Sequence, residues 1–277
     1  MSGNTIKAKI SNTSLVKPSE LIDVVESVPL RLQDKLLMNE MLSAAWENIG
    51  KSKEHRIHKG TLTQIDTHIK RLESSINRLM GTLIKTQVTE DGEAYNRTFT
   101  FLARIDNSIR ADGYIKYRFS EDAENLILNS NAFARIKRDI MFAMSSRYSL
   151  ALYEILAKRV NLAHKQVEVF ELEVFRKMLG VLDGKLTRIA HLRERCLDSA
   201  FAEVEQLTDI GCSYELIRTG RFYTHIKVSW LAKDKFASFE AAKARTKTKQ
   251  QQILERDELA KGKRVTEKIV QEYRRKN

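Results

Sequence analysis

The strongest constraint on the fold is an order of elements that occurs twice: helical patterns, then two stretches of alternating residues. In the first half, apolar residues recur at helical spacing over Leu30–Ile49 and Thr61–Lys85. Alternating residues follow over Asn96–Ile105 and Tyr114–Phe119, and Asp112-Gly113 between them predicts a hairpin turn. Helices followed by a hairpin are the order of elements in a winged helix.

The second half repeats this order. It predicts helices over Ser146–Ala163, Glu171–Leu179 and Thr187–Thr208, a short strand over Val167–Phe170, and a hairpin of Ser213–Ile217 with Phe222–Trp230 across Thr219-Gly220. Elsewhere, Gly50–Gly60 is basic and polar and predicts a turn, and Glu121–Ala143 predicts helix in several pieces.

Two prolines and eleven glycines in 277 residues argue against a barrel or sandwich with many short turns. The predicted fold class is therefore α+β, mainly α, with two tandem winged-helix domains and a basic C-terminal tail. The expected divisions are a flexible N-terminus over 1–14, domain 1 over 15–143, domain 2 over 144–231, and a helical or disordered tail over 232–277.

The charge balance favours a polyanionic partner. The formal net charge is +12 and the sequence pI is about 9.6, which raises affinity for phosphate backbones through counterion release. The segment from Lys233 to Asn277 carries 14 basic residues against 7 acidic ones, more than half of the surplus. No apolar run is long enough to span a bilayer, and the first ten residues do not resemble a secretory signal, so we expect a cytoplasmic protein. Cys196 and Cys212 are expected to be free, buried thiols.

Two helix faces could read DNA. Opposite the apolar stripe of the Thr61–Lys85 helix, cations alternate with small hydroxyl groups, and the first half of the Thr187–Thr208 helix carries most of its basic residues. The hairpin turns carry further arginines that can reach phosphate or the minor groove. The candidate DNA-binding residues are Thr67, Lys70, Arg71, Ser74, Arg78, Arg110, Lys185, Thr187, Arg188, His191, Arg193, Arg195, Arg218 and Arg221. The alternative for each helix is an ordinary solvated face.

No set of residues predicts catalysis, a metal site or a cofactor. His55 and His58 lack the two further ligands that a zinc site needs. Gly180–Lys185 is one residue short of a phosphate-binding loop, with Leu186 where a magnesium-binding hydroxyl should stand. A DNA-nicking replicase would need a His-x-His pair for its metal, and the chain has none. The sequence therefore predicts a binding protein and not an enzyme.

The second half resembles a known family. SRYSLALYEILAKRV (Ser146–Val160) resembles the helix that opens the second domain of plasmid replication initiators. The segment Leu192–Trp230 resembles their recognition helix and wing, with Arg193 and Arg195 in the arginine-rich turn and Thr224-His225-Ile226 in the apolar strand. One residue departs from the family pattern: Glu194 stands where its middle arginine would be. The first half matches only in pattern, over Ile69–Thr82 and the hairpin after it.

The resemblance implies more than composition could. Initiators of this family bind repeated origin sites (iterons) in double-stranded DNA as monomers, with both winged helices in successive major grooves. They help to open adjacent AT-rich DNA and recruit the host initiator ATPase and replicative helicase. As dimers they repress their own gene, and the first domain supplies the dimer surface. We therefore expect a plasmid replication initiator with a homodimer in equilibrium with the monomer.

Two other interpretations remain open from the sequence. A transcriptional repressor could have the same fold and no replication role. A structural scaffold could carry the same basic faces merely as solvated surface, with only non-specific affinity for DNA.

Overall fold

The structure is a computed structural model that describes residues 11, 13–22, 25–26, 30–65, 69–160, 165–247, 250–252, 254 and 258. In the first half, the helices are α1 (Leu32–Ala45), α2 (Ile69–Gly81), α3 (Glu121–Asn129) and α4 (Arg138–Ala143), with 3-10 turns at Ser19–Leu21, Trp46–Asn48 and Lys59–Leu62. The strands there are β1 (Ser14–Pro18), β2 (Val25–Glu26), β3 (His55–His58), β4 (Leu83–Glu90), β5 (Glu93–Thr100), β6 (Leu102–Asn107), β7 (Tyr114–Phe119) and β8 (Phe133–Lys137).

The second half begins with a helix that is almost wholly buried. Its elements are α5 (Arg147–Arg159), β9 (Val167–Glu171), α6 (Leu172–Met178), α7 (Ile189–Leu192), a π-helical turn (Arg193–Leu197), α8 (Asp198–Leu207), β10 (Ile210–Thr219), β11 (Phe222–Ala232) and α9 (Lys235–Arg245).

Two three-stranded sheets have the same topology, and this confirms the predicted repeat. One sheet has the order β3-β7-β6 and the other β9-β11-β10, with every neighbouring pair antiparallel. In both sheets the first strand, β3 or β9, pairs with the second strand of the later hairpin, β7 or β11. The helix predicted to read DNA, α2 or α7–α8, lies between them in the chain. Each half is therefore a helix, a strand, a helical segment, a reading helix and a two-stranded wing. The predicted α+β fold with two winged-helix units is confirmed, and α2 and α7–α8 are the helices predicted to read DNA, the first and second reading helices.

Domain 1 contains a hairpin that sequence reasoning missed. The helix expected over Thr61–Lys85 occupies only α2, and the chain turns at Thr82, whose hydroxyl donates to the Arg78 carbonyl at 2.7 Å. Strands β4 and β5 follow as a hairpin around Asp91-Gly92, both with positive φ, and join β2 in a separate sheet. The β-branched residues of LIKTQVTE favour a strand over a further helical turn. The predicted wing is right in its second strand, β7, but its first strand, expected over Asn96–Ile105, is divided between β5 and β6. The β6–β7 pair comes after this insertion.

Two smaller expectations were also wrong. The Gly50–Gly60 segment is not only a turn, because β3 forms within it and its Ile57 is buried against the core. Strand β8 interrupts the helical region expected over Glu121–Ala143, since alternating Ala134 and Ile136 are buried while their neighbours are exposed. The described part of the tail from Lys233 contains α9, a helix whose Ala241 and Ala244 are buried.

The buried apolar residues of both halves form one connected core. Helix α5, most of whose residues are buried, packs against both α8 and β8. Its Glu154 is 3% exposed and accepts from Lys17 Nζ at 2.9 Å and Asn39 Nδ2 at 2.7 Å, so β1 and α1 are held to α5 by a buried polar cluster. The division at residue 143 stays a prediction. The expected flexible N-terminus lies mostly outside the described residues.

Candidate nucleic-acid interface

The second reading helix, α7–α8, has a local widening where its basic residues lie. Within the π-helical turn the Asp198 N–H donates to the Arg193 carbonyl, five residues earlier. Three consecutive residues, Arg193 to Arg195, are consequently exposed, and the next two, Cys196 and Leu197, are fully buried. The buried stripe predicted from this helix, including Leu192, Ala200 and Val204, is confirmed. A uniform helical wheel places Arg193 at the margin, whereas the π turn makes it part of the exposed face.

Arg193 lies beside the wing. A favourable interaction with the Tyr214 hydroxyl of β10 raises the pKa of Arg193. Tyr214 Oη donates to Asp198 Oδ1 at 2.5 Å, while its ring packs on Phe201 with centroids 4.8 Å apart. Burial raises the pKa of Tyr214, so the hydroxyl stays protonated as a donor. The Tyr214 side chain is thus held in place, and its interaction with Arg193 favours one position of that arginine before DNA binds, which lowers the entropy lost on contact.

Arg195 differs from Arg193 because no described residue pairs with its guanidinium. It is exposed and free to donate two parallel hydrogen bonds, the geometry that matches guanine O6 and N7 or a phosphate. Glu194 between them is also exposed, and its carboxylate can accept from a cytosine amine but would repel a phosphate. His191 is half-buried on the same helix.

The loop before α7 is anchored by a buried arginine of α6. Arg176 is 7% exposed and donates to the carbonyls of Lys185 at 2.7 Å and Leu186 at 2.9 Å. Leu186 has φ +49, a left-handed conformation that a leucine rarely adopts without surrounding support. This support leaves Lys185, Thr187 and Arg188 exposed just ahead of the helix. The loop is therefore built to present side chains, and Arg176, which sequence reasoning missed, positions it.

The second wing ends in a tight turn of exposed residues. Thr219 pairs with Phe222 across Gly220-Arg221, and Gly220 has φ +63, a value that glycine adopts without strain. Arg218 lies over the Tyr223 ring, 4.3 Å from its centroid, on the side of the hairpin near the tip. Arg218 and Arg221 are both exposed, and no described carboxylate pairs with either.

The first reading helix fits its predicted role less closely. Leu72, Ile76 and Leu79 of α2 are buried as predicted, and Arg71 and Ser74 are exposed. Thr67 lies outside the described residues, and so does the side chain of Lys70.

Arg78 faces the protein core. It donates from Nε and Nη2 to the two carboxylate oxygens of Asp34, each at 2.7 Å, and Asp34 is fully buried. The prediction that Arg78 contacts DNA remains untested, but this bidentate ion pair weighs against it.

Arg110 lies on the tip of the first wing, between β6 and β7. It forms an exposed ion pair with Asp112 at 3.1 Å. Exposed pairs of this kind are weak, so phosphate could displace the carboxylate.

No cluster of metal-ligating side chains was found among the described residues. In the same residues, no helix is long and apolar enough to cross a bilayer. Both free thiols were expected to be buried; Cys196 is, whereas Cys212 is half-buried.

Two family models match the chain. Residues 14–157 match the initiator replication protein WH1 domain, and residues 171–230 match the initiator Rep protein WH2 domain. The chain belongs to the initiator replication protein family. No curated protein matches the sequence. Among solved structures, the fold is similar to the Pi initiator protein crystallised with iteron DNA, at 17% identity and a TM-score of 0.57, over 82% of this chain and 100% of that one.

Membership of this family identifies the two winged helices as the WH1 and WH2 domains of a replication initiator. It favours a replication initiator over a transcriptional repressor with no replication role. The predicted family is therefore confirmed, and the Leu192–Trp230 segment that carried the resemblance lies within the WH2 match. Most of Ser146–Val160 lies within the WH1 match, so its place at the start of the second domain stays a prediction. Which individual side chains contact DNA stays a prediction for all fourteen candidates.

Proposed function

We propose that this initiator binds repeated sites, or iterons, in the double-stranded DNA of a plasmid origin and starts replication there. The observation that carries the proposal is the duplication within one chain: two winged helices of the same sheet topology, each with exposed cations at its reading helix. One chain with two reading helices fits a site with two successive major-groove segments. The Pi initiator, whose fold is similar, was crystallised with iteron DNA.

In this proposal the second unit carries most of the sequence-specific contacts. Arg195 would read a base, Arg193 would make a pre-set contact, and Lys185, Thr187 and Arg188 would hold the phosphate backbone beside them. The first unit would add contacts through Arg71 and Ser74, and Arg110, Arg218 and Arg221 would reach the backbone from the wings. Phosphate contacts set the register on the duplex, and base contacts supply specificity.

The proposed partners beyond DNA follow from the family resemblance. They are the host initiator ATPase and replicative helicase, and a second copy of this chain in a dimer that represses its own gene and so limits plasmid copy number. The inserted β4–β5 hairpin supports a role for domain 1 in self-association, because the described residues of domain 2 form no counterpart to it. The protein would act in the bacterial cytoplasm by binding and not by catalysis.

Footprinting tests the core of the proposal. Purified full-length protein is incubated with the DNA that flanks its gene, and we expect protection of direct repeats about two helical turns long. A plasmid that lacks its own initiator should also replicate when this gene is supplied in trans. Protection of a single operator without rescue of replication would instead support a repressor, and absence of any protected repeat would refute iteron binding.

Self-association needs a separate measurement. Sedimentation of the DNA-free protein over a range of concentrations should show a monomer–dimer equilibrium, and Tyr95→Lys in the inserted hairpin should shift it to monomer. A monomer at all concentrations would refute the dimer but leave the iteron proposal standing.

A further inference from the structure

An aromatic side chain at the tip of the second wing is left largely uncovered by the described residues. Phe222 is 75% exposed, although burying a phenylalanine stabilises a fold by about 1.5–3 kcal/mol. Of the described aromatic side chains that are strongly exposed, two others, Phe236 and Phe239, lie on α9 and not on a wing. An exposed aromatic residue is common by itself, so its position must carry the argument.

That position lies among cations. Arg221 precedes Phe222 directly, and Arg218 is one residue before its cross-strand partner Thr219. The five consecutive residues from Arg218 to Phe222 are all exposed. Glu215, the acid nearest in the hairpin, lies 3.7 Å from Lys227 in an ion pair and so does not neutralise the tip. An apolar ring between two arginines is suited to a surface that combines phosphate with flat apolar bases.

The tip is also held rigidly. Thr219 and Thr224 share a hydrogen bond of 2.8 Å between their hydroxyls, across the hairpin. Arg218 stacks on Tyr223, and its Nη2 donates to that hydroxyl at 2.5 Å. A side chain that inserts between base pairs must keep its position as the bases are pushed apart. The contacts of Thr219 and of Arg218 hold the two strands of the hairpin together on either side of Phe222.

We propose that Phe222 is an apolar wedge that inserts into the minor groove and partly unstacks one base step, with Arg218 and Arg221 on the flanking phosphates. Proteins that bend DNA use phenylalanine in this way, and insertion kinks the duplex toward the major groove. Flexible pyrimidine–purine steps such as TA resist least, so the wedge selects them. The inference rests on the proposed binding of origin repeats and gives the second wing a direct part in distorting them.

The experiment uses full-length protein and a duplex of about 40 base pairs that wild-type protein selects from a random pool. 2-Aminopurine is placed at each adenine in turn, and the bend angle is measured by energy transfer between the duplex ends. Wild-type protein should raise the fluorescence at one step beside the reading-helix site. Phe222→Ala should abolish that rise, reduce the bend and weaken binding about tenfold, in line with the loss of one base–aromatic contact.

Two variants make the result specific. Phe222→Leu keeps an apolar wedge and should retain most of the fluorescence rise and the bend. Phe236→Ala removes an equally exposed phenylalanine, 74% exposed on α9, and should behave as wild type. Since both residues are exposed, all three variants should unfold at the wild-type temperature.

The proposal is overturned if Phe222→Ala retains the wild-type bend and fluorescence. It is also overturned if the variant loses affinity while both signals stay unchanged, because the ring would then only pack on the backbone. Failure of wild-type protein to select any sequence would instead count against the proposed function itself.

Discussion

Arg78 was expected to contact DNA, but its ion pair with Asp34 predicts a mainly structural role. The Asp34 carboxylate is fully buried and accepts three hydrogen bonds: two of 2.7 Å from Arg78 and one of 2.8 Å from the backbone N–H of Arg31, at the start of α1. Arg78→Ala would leave that carboxylate buried with the single backbone donor.

The size of the effect follows from this geometry. Removing one partner of a buried ion pair costs about 3–5 kcal/mol, since the remaining charge is uncompensated. The Arg78 side chain is 24% exposed, so water can reach the vacated space and the lower end applies, about 3 kcal/mol. For a chain of this size that corresponds to a fall in unfolding temperature of about 6–12 °C.

Thermal unfolding followed by circular dichroism measures the change. Asn77→Ala, on the same helix but with an exposed side chain, is the matched control and should change stability by less than about 0.5 kcal/mol. Asp34→Asn combined with Arg78→Ala should cost less than the two single changes added together, because the buried charge is gone.

DNA binding supplies the refutation. Well below its unfolding temperature, Arg78→Ala should bind the selected duplex with wild-type affinity. An unfolding temperature equal to wild type together with weakened DNA binding would show that the ion pair is unimportant and that Arg78 contacts DNA after all.

Three further changes test other parts of the structure. Arg195→Ala should weaken binding to the selected duplex by about 1–3 kcal/mol and leave affinity for unrelated DNA unchanged in a titration; an equal loss on both duplexes would mean that Arg195 touches phosphate. Arg176→Ala should weaken DNA binding and speed proteolysis within residues 181–188, because the carbonyls of Lys185 and Leu186 lose their donor. Arg176→Lys should restore part of the DNA affinity and part of the protease resistance. Unchanged proteolysis of Arg176→Ala would contradict the anchoring role. Burial lowers the pKa of His55 below its ordinary 6.5, so the unfolded chain takes up a proton that the folded protein does not, and stability should fall as the pH drops below about 6.5. In His55→Phe the unfolding temperature should change less between pH 7.5 and pH 5.5 than in wild type, and an identical pH dependence would rule out His55 as a source.

The second reading helix could be predicted from sequence because its information is local. Leu192, Val204 and Leu207 recur at helical spacing, and a helix with such a stripe has one face to bury. Periodicity could not reveal the π turn at Arg193–Leu197, because a wheel assumes a constant angle per residue. The sequence therefore predicts the basic surface of this helix but not the π turn that sets the positions of its arginines.

What the sequence missed depends on contacts between distant residues. Strand β1 and strand β8 are far apart in the chain, so neither predicts the other. Asp34 and Arg78 are 44 residues apart, and only the packing of α1 on α2 brings them together. The hydrophobic pattern of α2 predicts which face is exposed, but it does not predict where a long side chain at the edge of that face points. Arg78 lies beside the buried stripe and turns inward to the buried carboxylate of Asp34.

The pairing of β1 with β8 governs the order in which the chain can fold as it leaves the ribosome. Ser14 to Pro18 align with Lys137 to Phe133, and Lys17 reaches Glu154 in α5. At ordinary rates of synthesis the roughly 120 residues in between take about 6–24 s to be made. Throughout that interval Leu15 and Val16, both fully buried at the end, have no strand partner. The first winged-helix unit of a nascent initiator thus stays incomplete, and open to chaperones, until α5 has been synthesised.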